Sequence, residues 1–136
     1  MRTRNVTGLA LAIVGGAMAL PAFGAPQRGP SLGELDSVSA GQWVVRFRDG
    51  AADRRLCLRD GQALVQLRHK SANCERHVTE KGSRTVTVQY SCGRQGHGRT
   101  SFRIENPGLV QIESQGIDNG RPFQFTAEAR RTGSCR

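Results

Sequence analysis

Few side chains in this chain could do chemistry: four cysteines, three histidines, and a stretch of glycines interleaved with arginines. Cys57, Cys74, Cys92 and Cys135 lack the Cys-x-x-Cys spacing that supports thiol exchange, so they read as two structural disulfides. Four cysteines allow three pairings. Cys74 and Cys92 are equidistant from Ser83, inside the turn Glu80-Lys81-Gly82-Ser83-Arg84. A hairpin centred there sets the two side by side on neighbouring strands, within disulfide reach. The pairing Cys74–Cys92 leaves Cys57 with Cys135.

The histidines offer less. His69 and His77 stand eight apart with Glu75 between them, and His97 lies in a Gly-rich turn. Metal sites use closer spacing, so no metal and no cofactor are expected, and the three histidines read as solvated loop residues. His69, His77 or His97 with Glu75 or Glu105 could supply the acid and base of a small basic ribonuclease. That hydrolase is the enzymatic alternative. No Gly-x-Ser-x-Gly elbow and no phosphate-cradling loop occurs, so the leading expectation is a non-enzymatic protein. The run Gly93-Arg94-Gln95-Gly96-His97-Gly98-Arg99 reads as a hairpin loop needing positive φ. Its second reading is an anion nest, which makes Arg94, His97 and Arg99 the candidate ligand-binding residues.

Compartment and charge frame these residues. Arg2 and Arg4, the apolar run Gly8 to Leu20 and the small residues of Ala22-Phe23-Gly24 form an export signal over 1–24. Thirteen apolar residues fall short of the roughly 20 that span a bilayer, so no membrane-spanning segment is expected. An exported, oxidising address follows, where disulfides persist. Losing Arg2 and Arg4 from 20 Lys and Arg leaves 18 against 11 Asp and Glu. The excess concentrates in residues 51–100. Such a balance attracts acidic partners, such as lipopolysaccharide or another anionic envelope component, and also serves solubility. It opposes inhibition of lysozymes, which are themselves basic. No nucleic-acid partner is expected, because Arg46, Arg48 and Arg103 share their face with Glu105, Glu113 and Glu128.

The elements that must position these groups are strands. Residues 25–40, rich in Gly, Pro and Ser, read as a flexible lead-in, and 41–136 as one β-rich domain. Trp43, Val45 and Phe47 alternate with polar or outward residues. The same holds for Val86, Val88 and Tyr90, for Phe102 and Ile104, for Val110 and Ile112, and for Phe123, Phe125, Ala127 and Ala129. The turn Asn119-Gly120 pairs Ile112 with Ala127 and Ser114 with Phe125; Asn106-Pro107-Gly108 sets Ile104 near Val110. Closing Gly93 to Gly98 as a loop sets Tyr90 near Phe102. Asp60 caps a short helix striped by Leu64, Val65 and Leu67, with a strand through Ala63, Val65 and Leu67 as the competing reading. The inward aromatics form either a filled core or a ligand cleft. The fold class is mainly β: a single antiparallel meander with one short helix, stapled by two disulfides, most simply a monomer.

Gly41-Gln42-Trp43, Cys57-Leu58, Cys74, Ser91-Cys92, Gly98 and Gly133-Ser134-Cys135 carry a resemblance. The chain resembles a family of small exported four-cysteine proteins of unknown function from Gram-negative bacteria. The resemblance implies a periplasmic address and a compact β-rich fold, and brings no activity. It departs at Cys57-Leu58-Arg59-Asp60, where such proteins often carry Cys-Leu-Thr-Pro. Their methionine-rich strands are also missing, since Met1 and Met18 both lie in the signal.

Overall fold

The computed structural model describes residues 31–70 and 73–136. The export signal and residues 25–30 lie outside the described residues. Seven strands make one antiparallel sheet: β1 (Gly41–Phe47), β2 (Arg54–Leu58), β3 (Glu75–Lys81), β4 (Thr85–Ser91), β5 (Gly96–Asn106), β6 (Leu109–Asp118) and β7 (Arg121–Gly133). Their spatial order is β2-β1-β7-β6-β5-β4-β3. Strands β3 to β7 run as a meander, and the β1–β2 hairpin joins the far side through β1.

Period-2 alternation fixes which face is buried. Trp43, Val45, Val86, Val88, Tyr90, Phe102, Ile104, Val110, Ile112, Phe125, Ala127 and Ala129 form the core on the inner face. The expected registers hold at Ile112↔Ala127, Ser114↔Phe125 and Ile104↔Val110. One register is corrected. Tyr90 faces Gly98, and Phe102 faces Val86. Gly93 at φ 61° and Gly96 at φ 127° close the turn over only Gly93–Gln95, so β5 starts four residues earlier relative to its partner.

Strands β2 and β3 occupy opposite edges, so the chain joining them crosses the inner face. Asp60 caps a 3-10 turn, Gly61–Leu64, by accepting from the Gln62 N–H at 2.9 Å. The expected short helix is this 3-10 turn, and the competing strand is absent there. Leu64, Val65, Leu67 and His69 of this crossing segment are buried. Three anchors hold it. Arg54 of β2 donates to the Leu67 carbonyl at 2.5 Å, Thr100 of β5 to the Val65 carbonyl at 2.7 Å, and Arg76 of β3 twice to the Gln66 amide oxygen.

The lead-in expectation is corrected for residues 31–40. A second 3-10 turn, Gly33–Ser37, places Leu32, Leu35 and Val38 in the core. Their spacing of three matches the three residues per turn of a 3-10 helix, so all three share one face. A Cβ on Gly61 would come within 2.6 Å of the Leu35 carbonyl, which shows how tightly the two turns pack. Both disulfides are formed as expected: Cys74–Cys92 ties β3 to the end of β4, and Cys57–Cys135 ties β2 to the chain end.

Candidate functional site

The inner face is filled, so the choice between filled core and cleft goes to the core. Covered by the crossing segment and the Gly33–Ser37 turn, it keeps one partly open corner. There Phe47 packs edge-on against Phe125 at 5.2 Å and Phe123 stacks on Phe125 at 6.2 Å. Arg54 lies over Phe47 and Arg68 over Phe123, bordering a depression of about 290 Å³.

His69 belongs to this inner side, which corrects its reading as a solvated loop residue. It is 4 % exposed. Nε2 lies 3.0 Å from the Ile117 carbonyl and 3.3 Å from that of Gln95, and Nδ1 lies 3.0 Å from the Tyr90 hydroxyl. Carbonyls only accept, so Nε2 carries a proton, and Nδ1 is placed to accept from the Tyr90 hydroxyl. Burial pushes the Tyr90 hydroxyl up to about 12, against a lesser opposing effect of a hydrogen bond with Ser114. Thr100 donates its hydroxyl proton to the Val65 carbonyl at 2.7 Å, and its oxygen lies 2.9 Å from the Ser114 hydroxyl. Glycines make the room. A Cβ on Gly98 would sit 2.5 Å from the Tyr90 hydroxyl oxygen, and one on Gly96 would be 3.0 Å from His69 Nε2. Every polar atom of His69 serves the fold.

The outer face is different. Register places its side chains in rows across the strands. One row reads His77, Gln89, Arg99, Gln115 and Gln124; the next reads Glu80, Thr87, Ser101, Glu113 and Thr126. A third reads Thr85, Arg103, Gln111, Glu128 and Arg46. The rows line a trough of about 700 Å³ whose lining includes Arg48, Glu80, Thr87, Ser101, Arg103 and Glu113. It continues past Arg99 and Gln115 into depressions of about 240 and about 500 Å³.

Hydrogen bonds preset these side chains. Arg99 Nη2 meets Glu80 Oε1 at 2.6 Å, and Thr87 donates to the other Glu80 oxygen at 3.2 Å. Ser101 therefore donates to Thr87 across 3.0 Å, which leaves its oxygen able to accept from outside. Arg48 donates to Gln111 at 2.7 Å, and the Gln111 amide donates to Glu128 at 3.1 Å. That amide is the main cause holding the Glu128 carboxyl below the usual carboxylate range. Arg46–Asp53, Arg103–Glu105 and Arg130–Glu128 are ion pairs, so the basic residues of this face are dispersed among acids.

The candidate residues fall as follows. His97 and Arg99 share the outer face of β5 and line one depression together with His77. Arg94 stands on the exposed turn Gly93–Gln95 and does not line it. Glu75 faces Ser91, and Ser91 faces His97, so Glu75 lies close to this group. Glu105 is eight residues along β5 from His97, on the order of 26 Å away. Gln89, Gln115 and Gln124 were not singled out in the sequence, although their outward parity was readable there. Comparison with protein-family models, curated proteins and solved structures gives no match. No helix among the described residues is long and apolar enough to cross a membrane.

Proposed function

We propose that the chain is an exported, periplasmic, non-enzymatic binding module that takes a polar component of the cell envelope on the outer face of its sheet. One observation carries this reading: the inner face is packed with core while the outer face holds a preset, hydrogen-bonding trough of about 700 Å³. Its lining mixes hydroxyls, amides, guanidinium and carboxylate groups, and its aromatic residue, Phe102, is buried in the core. Such groups recognise a ligand rich in hydroxyls with scattered charge. The export signal in the sequence and the complete pairing of the cysteines support the compartment.

The test is cosedimentation of the mature chain with lipopolysaccharide, comparing wild type with Ser101→Trp. Ser101 stands mid-trough, so the bulky ring blocks the face without entering the core. Retention by wild type and its loss in the variant, at equal melting temperature, is expected. Equal retention of both proteins contradicts the reading.

A hydrolase is the second reading, favoured by one observation. His77, His97 and Arg99 line a single depression, two potential proton carriers beside a cation. It predicts RNA cleavage by purified protein that His77→Gln or His97→Gln abolishes. Cleavage no greater than a blank ends it.

A further inference from the structure

We propose that the end of the outer face formed by His77, Arg99 and His97 holds a phosphate monoester, with the sugar that bears it lying along the adjoining trough. This rests on the outer-face reading above and narrows it to a sugar phosphate. Register sets Gln89 between His77 and Arg99, Gln115 on the other side of Arg99, and Ser91 beside His97. The resulting depression, about 500 Å³, is lined by three potentially cationic side chains and by neutral Gln89, Ser91 and Gln115, with no carboxylate among them. The main trough, by contrast, contains Glu80 and Glu113. Charge therefore sorts along the face, anion-accepting at one end and mixed beyond it.

Arg99 is the joint between the two. Its Nη2 is fixed by Glu80, whereas its Nε is buried and has no hydrogen-bond partner among the described residues. The side chain as a whole is 40 % exposed, so the guanidinium group, held in place through Nη2, borders the depression and can meet an anion there. Guanidinium recognises the oxygens of phosphate through charge-assisted hydrogen bonds with defined geometry. Two carboxylates bear on the site. Glu80 is occupied by Arg99 and Thr87, and Glu75 lies one row away beside Ser91, outside the lining.

The sugar end follows from the neighbouring depression, which shares Arg99 and Gln115 and adds Ser101, Glu113, Gln124 and Thr126. These groups both donate and accept, as sugar hydroxyls do. The Glu113 charge disfavours a second anion there. One anionic end and one neutral hydrogen-bonding end match a monophosphorylated sugar, either free or carried on a lipid.

Calorimetry on the mature, oxidised chain tests this with glucose, inorganic phosphate and glucose 6-phosphate. Glucose 6-phosphate binding at least about tenfold tighter than either fragment is expected. Arg99→Gln lowers that affinity about tenfold, and His97→Gln, at an exposed position that leaves the melting temperature unchanged, lowers it severalfold. Lipopolysaccharide vesicles displaced by glucose 6-phosphate assign the lipid-borne source; vesicles ignored while the sugar phosphate binds assign the free one. Equal affinity for glucose and glucose 6-phosphate, or wild-type affinity in both variants, overturns the phosphate site and leaves the outer-face reading standing. Silence of all three probes, with lipopolysaccharide retention indifferent to Ser101→Trp, overturns both.

Discussion

At the residue scale, the buried histidine and its neighbours explain why the Gly-rich run exists. Gly98 faces Tyr90, and Gly96 leaves space beside His69, so both glycines serve packing as well as the turn. Gly98→Ala is expected to cost about 1–3 kcal/mol in urea denaturation, because the tyrosine ring has to move from a filled core. Tyr90 gives a pH signature. Its folded value, about 12, lies above the ordinary value near 10. The stability it contributes is therefore present below pH 10 and is lost as pH rises from 10 towards 12. Tyr90→Phe should flatten that alkaline decline relative to wild type, and at pH 7 it should cost about 1 kcal/mol for the lost bond to His69. Thermal melts of both proteins at pH 7, 10 and 11.5 check the sign. An unchanged difference between the two proteins across that range would contradict it. None of the His69 environment was legible beforehand, since its partners Tyr90, Gln95 and Ile117 lie 21, 26 and 48 positions away. A lone histidine on an apolar stripe carries no mark of which carbonyls will meet it.

Elements were more readable, and the reason is periodicity. Alternation in β4 to β7 declares which side chains share a face, and a turn's centre then sets the register. Centring on Ser83 correctly placed Cys74 beside Cys92. The same reasoning misjudged the next hairpin, because two glycines at positive φ closed a turn tighter than the loop from Gly93 to Gly98. Residues 31–40 misled through composition: the Gly and Ser content hid an apolar residue at every third position, a 3-10 signature. The β1–β7 pairing joins distant parts of the chain and left no local signal. The disulfides give a prediction at this scale. By loop entropy, Cys57–Cys135, spanning 78 residues, contributes ~4.5 kcal/mol, and Cys74–Cys92, spanning 18, contributes ~3 kcal/mol. The Cys57→Ala/Cys135→Ala protein should therefore unfold at lower urea than Cys74→Ala/Cys92→Ala. The reverse order would show that the β2 edge is held chiefly by other contacts, such as Arg54 to the crossing segment.

For the whole molecule, the division of labour runs across the sheet. One face is closed by core, two 3-10 turns and a crossing segment anchored at both edges; the other is left to solvent and carries its polar side chains in rows. Sequence parity already put Arg46, Arg48, Arg103, Glu113 and Glu128 on that outer face. It could not show that they line a depression, because the shape comes from how seven strands curve together. The central claim is that ligand meets this outer face. Amide and imidazole NMR shifts of the mature chain during titration with glucose 6-phosphate test it most directly. The account predicts shifts at His77, Gln89, His97, Arg99 and Ser101, with Tyr90, Ile112 and the Phe47–Phe123 corner unmoved. Shifts centred on Phe47, Phe123 and Arg68, with the outer rows silent, would contradict it.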